Sequence, residues 1–160
     1  MRLPRPSPQP KPPRPSRAPS WPNGAPCSGP PRIVSARLKA IGDLQQFRDE
    51  RDAALASYAQ ALDLFRKIGD RLGEANVYLA IGRAQREAEL FERAIALYRQ
   101  IGDAYSTARG QYFFALLLLE RGETDRAIIR LYEIRQLWAQ MRFEPGVQVV
   151  DQALNALRAR

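Results

Sequence analysis

Apolar residues recur along residues 33–158 at spacings of three and four, the period of an α-helix, and short polar breaks interrupt them at regular intervals. Between 75 and 107, Val77, Tyr78, Ile81 and Ala84 make one such face, and Leu90, Phe91, Ala94, Ile95, Leu97 and Tyr98 make a second. The pattern predicts amphipathic helices in pairs. The breaks carry their own chemistry. Gly69 and Gly102 suit the left-handed conformation that ends a helix, and Asp70 and Asp103 directly after them suit the cap of the next. Gly122 is expected to serve as a stop in the same way.

The faces repeat. A shift of 40 residues lays Leu38, Ile41-Gly42, Gln45, Ala54, Ala56 and Tyr58 on Tyr78, Ile81-Gly82, Gln85, Ala94, Ala96 and Tyr98. A shift of 33 lays Ile68-Gly69-Asp70 on Ile101-Gly102-Asp103, Ala75 on Ala108 and Ala94 on Ala127. Three units result, about 35–74, 75–107 and 108–141, followed by a single predicted helix over 144–158. In that helix Val147, Val150, Leu154 and Leu157 form an apolar stripe and Gln148, Asp151, Asn155 and Arg158 lie off it, the two-sided composition of a terminal cap. Pro145 fits its first turn. Small residues at matching places, Gly42, Gly82 and Ala115 in the first helices and Ala54, Ala94 and Ala127 in the second, are expected to let paired helices approach closely.

Gly42, Ala54 and Tyr58, then Gly82, Ala94 and Tyr98, then Ala115, Ala127 and Leu131, resemble the small, alanine and large apolar positions of the tetratricopeptide repeat (TPR). The first unit looks like the variant of about 40 residues found in kinesin light chains and bacterial regulatory arrays. The third unit departs from the pattern, with Gln111 where the family has a large apolar residue. The resemblance implies an all-α fold, a right-handed solenoid of three TPR-like helix pairs with a C-terminal capping helix, whose first helices line a concave groove. Carrying the family's groove positions over gives Lys39, Asp43 and Gln46 in the first unit, Asn76, Leu79, Arg83 and Arg86 in the second, and Arg109, Tyr112, Leu116 and Leu119 in the third. A peptide with an acidic group and an apolar anchor would complement that set. The family's carboxylate-clamp variety fits poorly: Lys39 matches, but Asp43, Ala80 and Phe113 stand where Asn, Asn and Arg belong, and Arg109 replaces a lysine. Arg83 and Arg86 also have Glu87 and Glu89 within reach, and Leu116 and Leu119 could equally be core.

Composition narrows the functions further. The chain has 160 residues, 45% of them hydrophobic, with no histidine and a single cysteine, Cys27. That excludes histidine acid–base chemistry, Cys/His zinc sites and an intrachain disulfide. No nucleophile–base pair, phosphate-binding loop or metal-ligand cluster is present, so no enzymatic activity and no cofactor are expected. The net charge of +8 is concentrated in a tail, residues 1–32, which holds six basic residues, no acid and twelve prolines. Such a segment is expected to be disordered, a linker or spacer with one Pro-x-x-Pro-x-Arg stretch at Pro12–Arg17. Any affinity of this tail for RNA or anionic lipid would collapse with salt. Residues 33–160 mix both signs, which gives no reason to expect specific nucleic-acid binding. The longest apolar run, Tyr112–Leu119, is too short to span a membrane. A cytoplasmic setting is consistent with the lone thiol.

Two functions follow as expectations. The first is a non-catalytic scaffold that binds a peptide or helix in the groove. The second is an assembly element, or the terminal part of a larger array, that self-associates as a possible homo-oligomer or docks on a neighbouring domain through a face rich in Ile33, Val34, Leu38 and Ile41.

Overall fold

The computed structural model describes residues 30–159. Of the expected tail, residues 1–29, including Pro12–Arg17, Trp21 and Cys27, lie outside the described residues. Its last two, Pro31 and Arg32, are already helical, because proline with its fixed φ and missing N–H is well suited to a first turn. The helices among the described residues are α1 (Pro31–Phe47), α2 (Arg51–Lys67), α3 (Arg71–Gln85), α4 (Ala88–Gln100), α5 (Ala104–Glu120), α6 (Thr124–Gln140) and α7 (Glu144–Arg158). No strand occurs among them.

The predicted punctuation operates as local chemistry. Gly69, Gly102 and Gly122 take φ of 70°, 73° and 77°. Asp70 then accepts a hydrogen bond from the Gly73 amide, and Asp103 one from the Ser106 amide, each at 2.8 Å, so each aspartate satisfies an otherwise free donor of the helix it starts. As a result α3 and α5 begin at Arg71 and Ala104, four residues ahead of the repeat boundaries at 75 and 108. Three further turns use a left-handed residue that is not glycine: Asp49, Arg86 and Arg142.

Packing makes the helices into pairs and the pairs into a stack. The helices of α1–α2, α3–α4 and α5–α6 pack most extensively on each other, α2–α3, α4–α5 and α6–α7 join successive units, and α1 also touches α3. The first helices of the units therefore lie side by side in one layer and the second helices in another, an all-α helical repeat solenoid. Three core clusters run through it, around Ala54, Tyr58 and Phe65; around Tyr78, Phe91, Tyr98 and Phe114; and around Leu131, Ile134, Trp138 and Val150. The stripe of α7 seals the last cluster, with Val150 and Leu154 buried and Val147 and Leu157 half-buried. Asp151 of α7 accepts from Arg135 of α6 at 2.6 and 3.2 Å, a two-pronged pair that holds the Asp151 carboxyl below its ordinary range.

Helix approach is set by rings lying over small residues. A methyl group on Gly42 would stand 2.6 Å from the Tyr58 ring, and one on Gly146 would stand 2.5 Å from Trp138. One on Gly73 would penetrate the Phe65 ring, whereas one on Gly82 would meet Phe91 at a tolerable 3.1 Å. Gly73→Ala is therefore expected to lower unfolding free energy by about 2–3 kcal/mol as Phe65 is displaced. Gly82→Ala should change it by less than about 1 kcal/mol, since the gain in helix propensity offsets the tighter contact. Urea denaturation of the two variants checks the contrast; equal losses would mean that ring-on-glycine contact does not set the spacing.

Candidate functional site

The side chains that meet along α1, α3 and α5 define the candidate site. On α1, Lys39 donates to Asp43 at 2.7 Å, and the buried Tyr58 hydroxyl of α2 donates to the other Asp43 oxygen at 2.9 Å. Both carboxylate oxygens are thus engaged within the chain, and the charges of Lys39 and Asp43 cancel. Burial first, and the Asp43 bond second, push the Tyr58 phenol well above its usual range, so it remains a donor. Gln46 is half-buried and its Oε1 has no partner among the described residues.

Between α3 and α5 the chemistry is cationic and aromatic. The Arg83 guanidinium lies over the Phe113 ring, 4.2 Å from its centroid, and forms no ion pair among the described residues. Arg86 does not turn back to Glu87 or Glu89; it reaches Glu120 of α5 at 3.6 Å, while its own carbonyl accepts from Arg121 at 2.5 Å. The left-handed φ of 58° at Arg86 ends α3 there, and its amide returns to the Gly82 carbonyl. Asn76 is the joint of the seam. Its Oδ1 accepts from the Tyr98 hydroxyl of α4 at 2.8 Å and from Arg109 of α5 at 2.9 Å, tying three helices to one neutral oxygen. Arg109 forms no ion pair among the described residues, and its buried Nε has no acceptor among them.

Toward the C-terminal end the seam becomes apolar. Tyr112 packs against Phe113 and against Trp138 of α6, with ring centroids 6.0 and 5.9 Å apart, and is half-buried. Leu116 and Leu119 are half-buried as well. Leu79 is different: at 5% exposure it belongs to the core formed with Phe91 and Phe114, and it offers no surface to a ligand. The sequence mapping had not marked Phe113, Glu120 or Trp138 as site residues. Phe113 was visible only as a departure from the clamp pattern, and nothing in the repeat spacing pairs it with Arg83.

A cleft of about 430 Å³ opens elsewhere, between α4, α5 and α6, lined by Arg99, Thr107, Gln111, Glu133, Gln136 and Gln140 among others, and it contains none of the mapped groove residues. No group of three or more metal-ligating side chains occurs among the described residues, and no helix there is long and apolar enough to cross a membrane.

Asn76→Ala should leave Tyr98 and Arg109 without their shared acceptor and cost about 2–3 kcal/mol in a chemical denaturation series. Asn76→Asp, which preserves the acceptor and adds a charge to face Arg109, should cost much less. Similar losses for both would show that the seam does not depend on that oxygen.

The family model described as tetratricopeptide repeat matches residues 34–105, that is, from α1 to the start of α5. No curated protein matches the chain.

Proposed function

We propose, from the premise that residues 34–105 are tetratricopeptide repeats, that the chain is a non-catalytic interaction module whose α1–α3–α5 face binds a peptide carrying a carboxylate next to an apolar side chain. Repeats of this kind generally mediate contacts between proteins and are typically scaffolds rather than catalysts. The finer reading rests above all on Arg83. Its charge is spread over an aromatic ring rather than spent on a carboxylate, and the half-buried Phe113 and Tyr112 continue from it as an apolar floor. An incoming carboxylate would gain a charge-assisted pair with Arg83 and further attraction from Arg109, and the neighbouring side chain would be buried on Tyr112 and Leu116. Lys39 is already neutralised by Asp43 and would contribute little. Electrostatic attraction of this kind also implies weaker binding in high salt.

Fluorescence anisotropy with a panel of labelled peptides pairing Asp or Glu with Leu or Phe, alongside their Asn and Gln analogues, tests the reading. Arg83→Ala and Tyr112→Ala should each weaken binding by about tenfold or more, and Lys39→Ala by less than about twofold. Neutral analogues that bind as well as the acidic peptides, or a panel that does not bind at all, would refute it.

A further inference from the structure

We propose that the cleft between α4, α5 and α6 binds a primary carboxamide, the group that ends the side chains of asparagine and glutamine. This does not depend on the peptide reading of the α1–α3–α5 face, because the cleft contains none of the residues mapped there. Its floor is defined by Gln111, which stands where the repeat pattern has a large apolar residue. The Gln111 side chain is 1% exposed and lines the cleft, and its Oε1 has no hydrogen-bond partner among the described residues. An enclosed acceptor of this kind is costly until something donates to it. Thr107, at 6% exposure, lies one turn earlier on the same side of α5 and also lines the cleft. Its hydroxyl donates to the Asp103 carbonyl at 2.7 Å, so toward the cleft it can only accept. The floor therefore presents two acceptors and requires two donors.

The walls decide what kind of group brings those donors. Arg99 of α4 and Glu133 of α6 are the charged residues of the lining. They stand on opposite walls with opposite signs, and neither forms an ion pair among the described residues, so the cleft as a whole favours neither a cation nor an anion. A carboxylate has no proton to give Gln111 or Thr107. An ammonium group could donate, but it would leave water for a floor that holds no carboxylate, with Arg99 on the wall above. An apolar group would leave the Gln111 oxygen unpaired. A carboxamide is neutral, supplies two N–H donors to the two acceptors, and accepts in return from the Gln111 Nε2 through its own oxygen. Amide pairs with amide whichever way the Gln111 group is turned, since each partner has both functions. Gln136 and Gln140, exposed on α6, continue the same neutral chemistry toward the rim. At about 430 Å³ the cleft is at the low end of ligand pockets and admits either a free amino acid or one side chain of a polypeptide segment.

NMR titration of the isotope-labelled full chain tests the proposal. The probes are free glutamine and three capped peptides of glycine and serine that differ only in a central glutamine, leucine or lysine. Glutamine in at least one of its two forms should shift the Gln111 side-chain amide and the Thr107 backbone amide saturably, half-saturating near about 1 mM, and the tighter form identifies the source of the group. The leucine and lysine peptides should need at least about tenfold more to produce the same shifts. Gln111→Leu, a replacement of similar size that removes the unpartnered amide, should abolish the response at Thr107. Thr107→Val, which keeps the shape and removes one acceptor, should weaken binding about fivefold or more, and Arg83→Ala should leave it unchanged. Gln111 signals that stay fixed with both forms of glutamine, as would follow if a water alone serves that oxygen, overturn the proposal. So do equal responses to the leucine or lysine peptide, or a response that survives both Gln111→Leu and Thr107→Val.

Discussion

The placement of aromatic rings directly over residues without a side chain governs this molecule. Tyr58 lies over Gly42, Phe65 over Gly73, Phe91 over Gly82 and Trp138 over Gly146, and each ring belongs to the helix preceding or following its glycine. Such contacts leave no room for a methyl group at three of the four sites, so they fix both the distance and the rotation between helices. Everything on the surface inherits that spacing. The reach from Arg83 to Phe113, from Arg86 to Glu120 and from Arg109 to Asn76 depends on how far apart α3 and α5 are held, and that distance is set underneath, where Phe91 stacks on Phe114 with ring centroids 5.6 Å apart.

The layering of the stack separates two kinds of surface. Second helices are enclosed by the first helices of their own and the following unit, and they contribute mainly rings and aliphatic chains to the core. First helices meet one another along one edge, which is polar in part, with a neutral oxygen shared by two donors at Asn76, a cation over a ring at Phe113 and a loose ion pair at Glu120, and apolar at Tyr112, Leu116 and Leu119. Polar seams of this kind hold the layer in register, and Arg83 is left without a carboxylate partner among the described residues. The outward side of α1 contrasts with it, exposing Ile33, Ile41, Leu44 and Phe47. Val34 and Leu38, expected from the sequence to belong to that face, are half-buried.

Much of the fold could be read along the chain. The offsets of 40 and 33 residues located the helix pairs, and the Gly-Asp steps at 69–70 and 102–103 became a left-handed stop followed by a cap. Turns without glycine were harder to see, because Asp49, Arg86 and Arg142 adopt left-handed geometry under constraint from the packed helices around them. The mapped surface residues divided in the same way. Arg83, Arg109 and Tyr112 lie on the shared seam, Lys39 and Asp43 neutralise each other, and Leu79 is enclosed in the core.

What the sequence by itself determined about this protein is local: where helices start and stop, which face of each is apolar, and which residues are small enough to be approached. These properties depend on neighbours three or four positions away, which the sequence displays directly. Only the tertiary structure decided which charges remain available and which apolar residues stay uncovered. Arg83 meets Phe113 across 30 positions and Arg109 meets Asn76 across 33, and Leu44 and Phe47 are exposed because no described helix packs on that side of α1. Pairings over such separations follow from how three-dimensional layers align, so the same periodic pattern is compatible with a spent charge or a free one until the helices are packed.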